Sequence, residues 1–211
     1  YSNDLQLLLK KYPKNTLDVG MAEQHAAGMS AGVSLNKKKI ILFYQSTFMQ
    51  RAFDQIFHDI AYMKLPVTII SSRSGFAGYD SATHHSLMDL SYLRAIPNIS
   101  IYYPSTLKDC ENVVKKRINK NQKNPMIILH PYEPVKDEVK IKLRGNEYDY
   151  LVKDSKKNLL ITTGNYLKRA SQIRKNLLKK DKKISIVCLK QIKPISIKIS
   201  KLLSDYSNIS V

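Results

Sequence analysis

Asp18-Val-Gly-Met-Ala-Glu-Gln-His-Ala26 joins a short apolar segment to an alanine-rich one through a glycine. The apolar residues at 16–19 predict a β-strand, and residues 22–35 predict a helix that follows it directly. Glu23 falls in the first turn of that helix, and α/β folds place functional side chains just beyond the carboxyl ends of strands. Glu23 is therefore a candidate functional carboxylate, although an acid at this position can also do no more than complement the helix dipole.

The alternation of strand and helix continues along the chain. Apolar runs predict buried strands at 40–43, 66–70, 99–102 and 125–129, with helices between them at 47–63, 87–95 and 105–119. This order predicts an α/β fold with a parallel sheet. The helix at 47–63, which Ser46 or Thr47 can cap, has a wide apolar face that suits packing between the sheet and a second subunit or domain. Residues 71–86 predict a long polar loop, and such loops are usually functional.

Composition argues against several classes of function. The net charge is +18, but the lysines are scattered at predicted helix ends and loop tips, so we expect no nucleic-acid partner. No apolar run approaches the roughly 20 residues of a membrane-spanning helix, so we expect no membrane partner either. Cys110 and Cys188 lack the spacing of a metal or redox motif, which predicts two free thiols. The cytoplasm is the expected compartment, with a plastid-type organelle as the alternative.

Three motifs occur in a fixed order. They are Asp18-Val19 with Ala22-Glu-Gln-His-Ala26, Ser46-Thr-Phe-Met-Gln-Arg-Ala-Phe-Asp-Gln55, and Gly78-Tyr-Asp-Ser-Ala-Thr-His84. Together they resemble the pyrimidine-binding domain of the transketolase-like thiamine-diphosphate enzymes, in particular the 1-deoxy-D-xylulose-5-phosphate synthases. The resemblance covers residues 10–211. It implies a pyrimidine-binding domain at 1–135 and an incomplete transketolase C-terminal-like α/β domain at 158–211. Residues 136–157 between them are charged and have no clear period, which predicts a linker with room for one short strand.

The resemblance assigns three residues to the cofactor. Glu23 would bind the ring nitrogen N1′ of the aminopyrimidine and would thereby be catalytic, since it favours the imino form that removes the proton from C2. Phe48 would stack on the aminopyrimidine ring. Arg51, one helical turn later, would hold the domain interface or substrate, or would form a salt bridge with Asp54 or another carboxylate. Just before Phe48 the family usually has an aromatic residue where this chain has Gln45.

The resemblance also implies a set of substrate-binding residues. Arg73 would bind the phosphate of the acceptor aldehyde, for which a guanidinium is well suited. Asp80 and His84 would bind substrate oxygens, and His84 would be the second catalytic residue. The neighbouring His85 does not make a metal site with His84, because adjacent side chains point apart and no third ligand is suitably spaced. Tyr132 stands where the family has a second phosphate-binding arginine, which predicts weaker phosphate binding, a different acceptor or lost activity.

The chain has no Gly-Asp-Gly followed by a downstream asparagine, the family signature that holds Mg²⁺ and the diphosphate. We therefore expect that another domain or subunit holds the magnesium and the diphosphate, in a homodimer or heterotetramer. The implied reaction joins a two-carbon unit from pyruvate to glyceraldehyde 3-phosphate, a step of isoprenoid precursor synthesis. One alternative is a subunit of a split transketolase that moves ketol units between sugars. The other is a non-catalytic dimerisation module that uses the apolar face at 47–63.

Overall fold

The computed structural model describes residues 3–76, 82–119, 123–132 and 147–211. The strands are β1 (Ile41–Gln45), β2 (Thr68–Ser74), β3 (Ser100–Tyr102), β4 (Met126–Pro131), β5 (Tyr148–Val152), β6 (Asn158–Thr162), β7 (Ser185–Leu189), β8 (Gln191–Lys193) and β9 (Asn208–Ser210). The α-helices are α1 (Asn3–Lys11), α2 (Glu23–Leu35), α3 (Ser46–Met49), α4 (Phe53–Gln55), α5 (Asp89–Leu93), α6 (Leu107–Asn119), α7 (Leu167–Leu178) and α8 (Ile197–Ser204).

The four predicted apolar runs form a parallel sheet in the order β1-β2-β4-β3, and the short strand β8 adds to the β3 edge antiparallel. Strands of a parallel sheet are covered on both faces, which is why they read as continuous apolar runs. Ile69, Ile101, Ile127 and Leu129 are fully buried in the main hydrophobic core. The predicted α/β fold with a parallel sheet is therefore confirmed.

The predicted strand at 16–19 is wrong, because this segment belongs to no sheet of the described residues. The backbone N–H of Gly20 donates to Asp18 Oδ1 at 2.8 Å, and Gly20 has a φ of +68°. This local turn competes with an extended conformation. The predicted loop at 71–86 begins too early in the chain, because β2 continues to Ser74.

The predicted helix at 47–63 is helical from residue 46 to residue 62, but its pitch changes along its length. After α3 the chain makes a 3₁₀ turn (Gln50–Ala52), then α4, and then a π-helical segment (Ile56–Tyr62). Met49, Ile56 and Ile60 are fully buried against the sheet. The side of the helix that points away from the core exposes the large side chains of Phe53 and Tyr62.

A second sheet has the order β5-β7-β6-β9, with β5 antiparallel to β7 and the other strands parallel. β6, α7, β7, α8 and β9 alternate strand with helix, and β5 is a short strand of the kind allowed for within the predicted linker, whereas β8 was not predicted as an element. The division at 136–157 stays a prediction, since residues 133–146 lie outside the described ranges and β5 falls inside the predicted linker. No helix in the described part of the chain is long and apolar enough to cross a bilayer.

Candidate functional site

Glu23 is the first residue of α2, and its position is fixed from the neighbouring strand. The hydroxyl of the buried Tyr44, on β1, donates to the backbone oxygen of Glu23 at 2.6 Å. Burial, and to a lesser degree the charge of Glu23, raises the pKa of Tyr44 well above its usual value, so this hydroxyl keeps its proton as a donor. The side chain of Glu23 is only 11% exposed. A carboxylate at the amino end of a helix also gains from the helix dipole.

Arg51 approaches the carboxylate of Glu23, with Nη1 3.4 Å from Oε2. This distance is longer than an ordinary hydrogen bond, and the Arg51 side chain is 58% exposed. An ion pair of this kind contributes about 0–1 kcal/mol, so it holds Glu23 only weakly. Of the alternatives for Arg51, the structure shows a salt bridge to a carboxylate, although not to Asp54, which pairs with His58 instead.

The side chains of Phe48 and His84 contact each other in an edge-to-face arrangement. Their ring centroids lie 5.7 Å apart, with the ring planes at 72°. Phe48 is 42% exposed, although it lies between residues that are buried. His84 ends a 3₁₀ turn (Ala82–His84), and its Nδ1 lies 3.1 Å from Thr83 Oγ1. Phe48 therefore presents part of an aromatic face, with an imidazole at its edge.

Arg73 and Tyr132 meet at the ends of two paired strands. The guanidinium carbon of Arg73 lies 5.5 Å from the centroid of the Tyr132 ring, which is the range of a cation–π contact. Arg73 has a φ of +61°, which is uncommon for a residue other than glycine. Ser74 pairs with Pro131, so the residues beside them lie at the same edge of the sheet as the start of α3. Asp80 lies outside the described residues.

Sequence reasoning missed a buried polar cluster beneath this edge. Asp89, at the start of α5, is 3% exposed and accepts a short hydrogen bond from the hydroxyl of Ser46. Ser71 Oγ donates to Ser46 Oγ at 2.9 Å, and Ser46 Oγ and Ser74 Oγ lie 3.3 Å apart. Burial raises the pKa of Asp89 to about 6, although hydrogen bonds from Ser46 and Ser74 lower it. The sequence predicted that Ser46 could cap this helix. Its hydroxyl makes no cap hydrogen bond and instead donates to a carboxylate.

The residues of this edge fit the aminopyrimidine that the sequence implies. Glu23 offers a largely desolvated carboxylate, and Phe48 offers an open aromatic face. Two buried polar atoms beside them, Gln45 Nε2 and Thr47 Oγ1, have no hydrogen-bond partner within the described ranges. Buried polar groups are normally satisfied, so unsatisfied ones mark a place where a polar ligand can bind.

Comparison with known proteins gives matches to one family. The family model described as "Transketolase, pyrimidine binding domain" matches residues 2–136. A 1-deoxy-D-xylulose-5-phosphate synthase of Clostridium acetobutylicum is 33% identical over 195 residues, which are 88% of this chain and 30% of that protein. The enzyme of the same name from Halothermothrix orenii is 35% identical over 197 residues, covering 90% of this chain and 30% of that protein. The chain therefore spans about 30% of the length of these relatives.

A solved structure has the same fold. It is a split-gene transketolase in an inactive β4 tetramer, and it superposes with a TM-score of 0.84. The match covers 99% of this chain and 69% of that one, at 23% sequence identity. At this level of identity the likeness concerns the fold alone.

Proposed function

The chain belongs to the transketolase pyrimidine-binding domain family, and from this we propose that it forms part of a thiamine-diphosphate-dependent enzyme of two-carbon transfer. The proposed reaction is that of a 1-deoxy-D-xylulose-5-phosphate synthase, the condensation of pyruvate with glyceraldehyde 3-phosphate. The observation that carries the proposal is the largely buried carboxylate of Glu23, held at the start of α2 beside the segment that bears Phe48. Few structural roles require a carboxylate that is desolvated but only weakly paired.

Glu23 and Phe48 would hold the aminopyrimidine of the cofactor. When bound, thiamine diphosphate supplies a nucleophilic carbon that carries the two-carbon unit. The carboxylate of Glu23 would bind and orient the proton at ring nitrogen N1′, in a site from which water is largely excluded. Phe48 would support one face of the ring, and Arg51 would lie beside the cofactor, where it contacts the Glu23 carboxylate only weakly.

Arg73, Asp80, His84 and Tyr132 would bind the substrates. Arg73 would bind the phosphate of the acceptor, and the Tyr132 ring would restrict the guanidinium through the contact at 5.5 Å. His84, at the edge of Phe48, would donate a hydrogen bond to a substrate oxygen close to the cofactor. With Tyr132 in the position of a second arginine, phosphate would be bound by one guanidinium rather than two, a difference of roughly 1.5–3 kcal/mol.

The complete site requires a further domain or subunit. We propose that it binds the diphosphate and Mg²⁺, and that the enzyme is a homodimer or heterotetramer in which the two parts meet at the edge carrying Glu23 and Phe48. Within this chain we propose the division at 1–135, 136–157 and 158–211, the last part being of the transketolase C-terminal type.

Glu23→Gln tests the proposal in the complete enzyme. The amide has the size of the carboxylate but cannot hold the proton in the same way, so we expect turnover of pyruvate and glyceraldehyde 3-phosphate to fall by about 10²–10⁴-fold. Glu111→Gln is the matched control, because Glu111 is a surface carboxylate of α6 that pairs with Lys108 and Lys115. Unchanged turnover of the Glu23→Gln enzyme would contradict catalysis and favour the dimerisation module.

A second candidate function is the transfer of a ketol unit between sugars. Tyr132, which reduces the positive charge available to an acceptor phosphate, is the observation that favours it. Assays of the same enzyme with a ketose phosphate as donor, in place of pyruvate, distinguish the two. Turnover with pyruvate alone supports the synthase, and turnover with the ketose phosphate alone supports the transketolase.

A further inference from the structure

We propose that Asp89 is a positioning residue of the candidate site, which holds the segments of Phe48, Arg73 and His84 in place through the buried cluster of Ser46, Ser71 and Ser74. The inference rests on the proposed function for its kinetic consequences. Its structural basis is independent of that function. Asp89 itself is buried beneath the site, so it acts through these segments and not on the substrate.

The cluster joins three separate parts of the chain. Ser46 is the first residue of α3 and stands two positions before Phe48. Ser74 is the last residue of β2 and follows Arg73. Asp89 follows the segment of His84, and it binds the hydroxyl of Ser46, which in turn contacts Ser74.

A backbone bridge closes the same loop from the other side. The N–H of Ser86 donates to the backbone oxygen of Gly75 at 2.8 Å, forming an isolated antiparallel bridge. Arg73 lies two residues before Gly75, and His84 lies two residues before Ser86. The bridge therefore joins the segment of Arg73 to the segment of His84. The bridge fixes the distance between the arms, and Asp89 fixes both arms to the end of β1.

The chemistry of the cluster explains why a hydrogen-bond acceptor is required at position 89. Three neighbouring hydroxyls need acceptors, and none of the three side chains is more than 2% exposed. The hydroxyl of Ser46 donates to Asp89 Oδ2, and Ser46 Oγ in turn accepts a hydrogen bond from Ser71. Removal of Asp89 Oδ2 leaves the buried hydroxyl of Ser46 without its acceptor, which favours a shift of the backbone at the start of α3, close to Phe48.

Kinetic constants separate positioning from simple loss of stability. A smaller fraction of folded enzyme lowers the maximal rate but leaves each KM unchanged. We expect Asp89→Ala to raise the KM for glyceraldehyde 3-phosphate, through Arg73, and the half-saturating concentration of thiamine diphosphate, through Phe48, each by fivefold or more. Asp109→Asn is the control in the complete enzyme, because Asp109 is equally buried (3% exposed) but binds Lys190 away from this edge.

Two further variants test the hydrogen bonds themselves. Asp89→Asn keeps one acceptor oxygen for Ser46, so both constants should return to within threefold of wild type. Ser46→Ala removes the same contact from the other side, so the double variant Asp89→Ala/Ser46→Ala should be no worse than Asp89→Ala. Any of three results would overturn the proposal. The first is that Asp89→Ala leaves both constants within twofold of wild type. The others are an equal change in Asp109→Asn and no recovery in Asp89→Asn.

Amide hydrogen exchange keeps this inference separate from the proposed function. If the Glu23→Gln enzyme retains its turnover, the function fails, but exchange still reports on the cluster. Asp89→Ala should then raise exchange at residues 46–49 and 72–76 above the level of Asp109→Asn. Equal exchange in the two variants would overturn the role of Asp89.

Discussion

At the scale of single residues, Glu23 and Asp89 are two carboxylates of one edge with different partners. Among the residues that the structure describes, the Glu23 carboxylate pairs with a mostly exposed guanidinium at 3.4 Å, so it stays available to a ligand. A short salt bridge with a buried arginine would have removed it from any catalytic role. Asp89 is engaged by serine hydroxyls, which suits a structural acceptor. The two environments therefore support opposite roles for the same chemical group.

The environment of Asp89 makes stability depend on pH. Burial raises its native pKa to about 6, above the roughly 3.9 of an unfolded aspartate. The native state therefore binds the proton more tightly, and this stabilisation is complete below about pH 4 and lost as the pH rises through 6. At about 1.4 kcal/mol per pKa unit the change is on the order of 3 kcal/mol.

Asp89→Asn should remove this dependence. The variant should gain on the order of 3 kcal/mol in free energy of unfolding relative to wild type between pH 4 and pH 7, because only the wild type must ionise a buried carboxyl. Urea unfolding at several pH values measures the difference. A difference that does not change with pH would contradict the raised native pKa.

At the scale of elements, β2 ends in a strained turn that carries a candidate site residue. Its pairing with β4 shifts register between Ser71 and Ser74, and Arg73 has a φ of +61°. The left-handed region costs a residue with a Cβ about 1–2 kcal/mol. Such strain often marks a functional position, because it aims a side chain that an ordinary strand would point elsewhere.

In a strand, alanine usually gives a more stable protein than glycine, but at position 73 we expect the opposite order of stability. We expect Arg73→Gly to be about 1 kcal/mol more stable than Arg73→Ala, since glycine adopts this φ without strain. Both should raise the KM for glyceraldehyde 3-phosphate equally, because both remove the guanidinium. The same pair at Ser72, where alanine should be the more stable, is the control. An Arg73→Ala protein as stable as Arg73→Gly would show that the turn carries no strain.

The elements also show what the sequence could predict and why. β1, β2 and β4 were predictable because strands buried on both faces are continuous apolar runs. β8 was missed, and β5 was expected only as one short strand within the linker, because each is only partly buried and contains a charged residue. The motifs assigned Phe48 and His84 to one site only through resemblance, their ring contact was seen only in the structure, and nothing in the spacing of the serines pointed to Asp89. Contacts between distant hydroxyls have no periodicity that a sequence could show.

At the scale of the whole molecule, contacts between distant parts of the chain join the two sheets. β8 follows directly from the second sheet and pairs with β3 of the first. Ser105 Oγ, which follows β3, lies 3.0 Å from Sγ of the buried Cys188, a residue of β7 in the second sheet. The two parts therefore share an interface that composition alone did not reveal.

Lys190 lies at the centre of that interface. It is 1% exposed, and its Nζ lies 2.9 Å from Asp109 of α6 and 2.7 Å from Asp149 of β5. Lys190→Met should destabilise the chain by about 3–5 kcal/mol, because two carboxylates lose a buried cation. Lys108→Met, which breaks an exposed pair with Glu111, should cost far less, because water screens a pair at the surface.

The form of the unfolding curve then reports on how the two sheets are coupled. Because Lys190 contacts residues of both parts, its loss should separate one urea transition into two. Replacing Lys190, Asp109 and Asp149 together by apolar residues of similar size should recover most of the stability, since no buried charge is then left unpaired. A single transition in Lys190→Met, with a loss below 1 kcal/mol, would place the coupling in the pairing of β3 with β8 instead.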